Sequence, residues 1–160
     1  MEASMTTSKN ITRRVILLLG ALFVFAATPV LADKTTYQSG GVAINGYDPV
    51  AYFVDNAPIK GDTALGYTWN GTKWQFANQK NLAAFKENPE KFAPKFGGYC
   101  AYAVSQGYTA LTDPNAWSIV DGSLYLNYSK SVRSRWQQDT SGNIVKGDAN
   151  WPGLRADLIK

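Results

Sequence analysis

The chain has 160 residues, with 16 Lys/Arg against 12 Asp/Glu, and carries one cysteine, two methionines and no histidine. Without histidine it cannot run a Ser-His-Asp or Cys-His mechanism, and a single thiol cannot close an internal disulfide. A soft or imidazole-rich metal cage built within one chain is excluded for the same reason.

The first thirty-two residues read as an export signal. Lys9, Arg13 and Arg14 precede an apolar run from Val15 to Ala27, and Val30-Leu31-Ala32 supplies a small-residue ending. A run of about 13 residues suits a signal core and falls short of the ~20 that a permanent span needs. Cleavage is expected after Ala32, and the paired arginines in Thr12-Arg13-Arg14-Val15 also resemble a twin-arginine signal. The expected location is periplasmic or secreted. No cysteine stands at the cleavage site, which argues against a lipoprotein. The remaining 128 residues hold thirteen Lys/Arg and eleven Asp/Glu, so part of the apparent basicity leaves with the signal. That length suits one domain, over residues 42–160, without a membrane span. Only Lys130, Arg133 and Arg135 cluster, and one solvated helix face accounts for them. Nucleic acid is not an expected partner.

Residues 33–41 are polar and glycine-tipped, and are expected to form a mobile arm. Val42-Ala43-Ile44 reads as a short strand, and Asn45-Gly46-Tyr47-Asp48-Pro49 as a turn into a second apolar segment. Gly66 to Phe76 alternates around Asn70-Gly71 and predicts a β-hairpin with a tight turn. Asn78 stands at an N-cap position before a helix whose buried stripe is Leu82, Phe85 and Ala84, and Pro89 opens a further helical turn. Tyr108 to Leu111 is expected as a strand, followed by a turn at Thr112-Asp113-Pro114. A second hairpin is predicted around Asp121-Gly122. Ser129 then caps a helix carrying Val132 and Trp136, and another short helix is expected over Asn143 to Ala149, before Trp151-Pro152-Gly153. Hairpins and short helices in this order indicate a compact α+β fold.

The cysteine lies in Phe96-Gly97-Gly98-Tyr99-Cys100-Ala101-Tyr102. Paired glycines admit positive φ and the close approach of another group, and a short helix after Cys100 would favour a thiolate. Such a thiol is either buried as a small apolar side chain, bridging a homodimer, or kept for reaction or ligation. The candidate binding residues are Cys100, Tyr99, Tyr102, Gly97 and Gly98, with Tyr47 and Asp48 as a second group. Cys100 is the candidate metal ligand. For Asp48 the alternative is a role inside its own turn, accepting backbone N–H groups while Tyr47 packs. The nineteen aromatic residues after Ala32 either fill a core or line a binding face.

Asn45-Gly46-Tyr47-Asp48-Pro49-Val50-Ala51-Tyr52, the Tyr67-x-Trp69-Asn70-Gly71 hairpin, Phe76-Ala77-Asn78, Phe85-x-x-Asn88-Pro89-Glu90-Lys91-Phe92 and Gly97-Gly98-Tyr99-Cys100-Ala101-Tyr102 together resemble the YHS domain family, over about residues 44 to 128. The likeness is to its small exported members. It implies a compact α+β unit and, in the metal-linked members, the handling of heavy metals. Those members place cysteines around the Asp-Pro-Val turn and after the second hairpin strand. Here the matching positions hold Tyr47, Ala51, Ala77 and Asn81, none of which supplies a thiolate.

Three functions follow as expectations. The first is a non-catalytic module binding a protein partner or a small ligand through aromatic surface, with Cys100 as packing. The second is an accessory protein holding a soft metal such as copper(I) transiently through Cys100, or between two copies. The third is a thiol-dependent enzyme, for which a helix N-terminus, lysine or arginine would have to activate Cys100.

Overall fold

The computed structural model describes residues 34–160; the expected export signal lies outside them. Over this span the fold is α+β. β1 (Gln38–Ser39) and β2 (Val42–Ala43) pair antiparallel, and a 3-10 turn at Ile44–Gly46 leads towards α1 (Ala51–Val54). β3 (Asp62–Trp69) and β4 (Thr72–Phe76) form the first hairpin, with β2 added in parallel beside β4. The sheet order is β1-β2-β4-β3.

α2 (Gln79–Glu87) is capped by the Asn78 side chain, which accepts the Asn81 N–H at 2.9 Å. α3 (Pro89–Phe92) is capped in the same way by Asn88. A second 3-10 turn at Lys95–Gly98 leads to α4 (Ala101–Ser105). β5 (Asp113–Val120) and β6 (Ser123–Asn127) make the second hairpin, and α5 (Lys130–Gln137) starts at the expected Ser129 cap. α6 (Thr140–Leu158) closes the chain. Both hairpins turn on two positive-φ residues, Asn70-Gly71 and Asp121-Gly122, the mirror-image turn that matches strand twist.

Two hydrophobic clusters share one strand. Leu124 and Leu126 of β6 join Ile44, Tyr52, Trp74, Phe76 and Phe85, while Tyr125 between them joins Phe96, Val104 and Trp136. Strand alternation thus sends successive β6 side chains into cores on opposite faces, which is why the whole strand after Ser123 is buried.

Three expectations change. The segment expected as a mobile arm is docked: Thr35 and Thr36 are buried, and the Tyr37 N–H donates to the Gly97 carbonyl at 2.8 Å. Residues 108–111 form no strand; β5 instead begins within the expected turn, where the Asp113 side chain accepts the Asn115 N–H and the register with β6 shifts. α6 runs through Pro152 and Gly153, because Trp151 and Leu154 pack on the second cluster and outweigh the local cost of the proline.

Candidate functional site

Cys100 occupies the N-cap position of α4 and is 1% exposed. Its Sγ accepts the Tyr128 N–H at 3.3 Å and lies 3.7 Å from Asn127 Oδ1. Its own N–H donates to the Ala110 carbonyl. The same Asn127 oxygen accepts the Tyr102 N–H at 3.1 Å, so the thiol sits inside a hydrogen-bonded junction between α4 and the end of β6. The side chains expected around it point elsewhere. Tyr99 donates to the Lys34 carbonyl at 2.8 Å and packs on Tyr37 and Trp151. Tyr102 lies under the Arg135 guanidinium.

The paired glycines are explained by the chain itself. Gly97 has φ +59°, and a Cβ there would overlap the Thr35 carbonyl oxygen. The group that approaches this loop is therefore the segment just before β1. Gly98 offers its carbonyl to the Thr112 hydroxyl at 3.0 Å.

Asp48 is fully buried. Its Oδ1 accepts the Val50 and Ala51 N–H groups at 2.8 and 3.3 Å, and its Oδ2 accepts the Ala77 N–H and the Asn81 side-chain amide at 2.8 and 2.7 Å. Tyr47 bridges to Lys60, whose ammonium lies 5.0 Å from the ring centre. The hydrogen-bond partners of Asp48 and those of Cys100 form separate sets. Nearby, the Tyr52 hydroxyl donates to the Pro114 carbonyl at 2.9 Å. Burial pushes the Tyr52 phenol far above its ordinary range, and the charges of Tyr47, Asp113 and Asp48 push the same way.

The described residues also form a cleft of about 480 Å³ bordered by both hairpin tips. Trp69 and Asn70 come from the first tip, Gly122 and Ser123 from the second, and Glu90, Lys91 and Ala93 to Gly97 form one side. α6 supplies Asp148, Trp151 and Arg155, which fall on one face because they are spaced three and four apart. Trp151 is held by the Phe96 and Tyr99 rings, at centroid distances of 6.0 and 6.1 Å. Among the described residues Lys95 and Arg155 make no salt bridge; the pair that forms is Lys160 with Asp157. Of the sequence candidates only Gly97 lines this cleft, with Tyr99 one layer behind it. The 148, 151, 155 spacing was the available signal, obscured by Pro152-Gly153.

The chain from α1 to the turn after α3 carries the first hairpin, both asparagine caps and one wall of the cleft. Residues 50–95 match the YHS domain family. No curated protein and no solved structure matches the chain. The matched segment includes Ala51, Ala77 and Asn81. In this chain they surround Asp48 with N–H donors, which point positive charge inward. That donor set does not fit a metal ion. Among the described residues no group of three or more His, Cys, Asp or Glu side chains could hold one, and no helix is long and apolar enough to cross a membrane.

Proposed function

We propose that the chain is a non-catalytic binding module, delivered to the periplasm or outside the cell by its N-terminal segment, which holds a small ring-bearing molecule in the cleft between Trp69 and Trp151. The cleft carries this reading: about 480 Å³ of space in which Trp69, Trp74, Phe96 and Trp151 stand among polar residues and charges of both signs. Such pockets combine apolar walls with a few polar groups that orient the ligand. Covering an aromatic ring removes roughly 150–250 Å² from water, worth about 4–6 kcal/mol before the costs of association. Even before those costs this corresponds to dissociation constants of roughly 40 μM to 1 mM, so weak binding is expected. Two features support binding over catalysis. There is no histidine to act as general base, and the Cys100 thiol and Asp48 carboxylate are buried in hydrogen bonds that hold the fold.

The test is titration of the full chain with indole-3-acetate, tryptamine and neutral indole, followed by calorimetry. Saturable binding of at least one probe is expected, lost in Trp151→Ala, with Arg155→Ala weakening the acetate several-fold and leaving tryptamine unaffected. Binding that survives Trp151→Ala unchanged, or no saturation of any probe by about 5 mM, contradicts the proposal.

A further inference from the structure

A junction of the fold distinct from the cleft rests on one buried charge. Asp48 is fully buried, and among the described residues no cation forms a salt bridge with it. A carboxylate removed from water is costly unless its lone pairs are all engaged. Here four N–H groups engage them, two on each oxygen. The donors come from two separated stretches: Val50 and Ala51 at the start of α1, and Ala77 and Asn81 where β4 passes into α2. The carboxylate therefore ties together segments about thirty residues apart, across distances of 2.7 to 3.3 Å.

We propose that this corner does not fit a metal ion and that Asp48 holds it together as an anionic clamp, so that the YHS segment of this chain folds and stays folded without a metal there. Two physical reasons support it. All four groups facing the carboxylate present hydrogens rather than lone pairs, so a cation would have to break those bonds to reach the oxygens. The side chains at Ala51 and Ala77 carry no donor atom for a metal, and the Asn81 amide already gives its N–H to Asp48. Charge-assisted hydrogen bonds of this kind are short and strong, and with every partner supplied by the chain the junction is complete.

The experiment compares thermal unfolding of the full chain and of Asp48→Asn, each in EDTA, zinc(II) and calcium(II). Asparagine keeps the shape but turns one acceptor into a donor facing donors, so the melting temperature is expected to fall by roughly 10 °C. The wild-type temperature is expected to be the same within about 1 °C in EDTA and in either cation, or to respond equally in both proteins, which places any metal effect elsewhere. A cation-dependent rise in the wild type that is absent from Asp48→Asn overturns the proposal. If Asp48→Asn does not fold, Asn81→Ala decides the matter. Removing one donor from a hydrogen-bonded clamp lowers the melting temperature with or without cation, whereas a cation response larger than that of the wild type overturns the proposal.

Discussion

At Cys100 the protein spends its one thiol on geometry: the sulfur accepts the Tyr128 N–H while the backbone of the same residue starts α4. A thiol that is 1% exposed reaches a reagent only when the fold opens. Labelling by a disulfide reagent is therefore expected to be at least about a hundredfold slower in native protein than in urea, and comparable rates in the two conditions contradict the burial. Tyr52 gives a second prediction at this scale. Its phenol is pushed upward in the folded chain, so the folded state holds the proton more tightly than the unfolded one. The associated stability is fully present below the unfolded-state pKa of about 10 and is lost as pH rises above it, at up to about 1.4 kcal/mol per pH unit. Tyr52→Phe removes that slope while weakening the tie to Pro114. Equal alkaline slopes in denaturant titrations of the two proteins would contradict the assignment. Gly97→Ala places a Cβ against the Thr35 carbonyl at a left-handed φ. The segment 34–37 is expected to leave its dock, read as faster amide exchange at Tyr37 with the second cluster unchanged.

Elements differ in how far their own residues specify them. The hairpins at Asn70-Gly71 and Asp121-Gly122 and the helices capped by Asn78, Asn88 and Ser129 were legible because turn and cap chemistry act over two to four residues. β1 was not, because its pairing with β2 depends on the docking of Tyr37 against Gly97 about sixty residues later. The cleft was illegible for the same reason, being assembled from side chains between Thr35 and Arg155. α6 shows the opposite failure, where local chemistry was read correctly and overruled. Asn150 donates to the Val104 and Ser105 carbonyls, Asn143 donates to the Trp136 carbonyl, and Gly147 leaves room for the Phe96 ring. These contacts hold α6 against α4, α5 and the Phe96 turn despite Pro152. The proline remains a local defect, exposed and without an N–H for the Asp148 carbonyl. Pro152→Ala is accordingly expected to stabilise the protein by about 1–3 kcal/mol, measured by urea unfolding. A loss of stability would mean that the proline makes contacts of its own.

On the scale of the whole molecule, two clusters on either side of β6 hold the hairpin tips and α6 around one open space. The YHS segment contributes Trp69 and Lys91 to that space, and the C-terminal helix contributes Trp151 and Arg155. Neither part encloses it alone, so the proposed binding depends on the intact chain. The five tryptophans offer a direct measurement, since Trp69, Trp74 and Trp151 line the cleft while Trp117 and Trp136 lie outside it. In a nitrogen–proton correlation titration with indole-3-acetate, the side-chain signals of Trp69 and Trp151 are expected to move with concentration while those of Trp117 and Trp136 stay fixed. Movement centred on Trp117 or Trp136, or no movement at all, would contradict the cleft as the binding site.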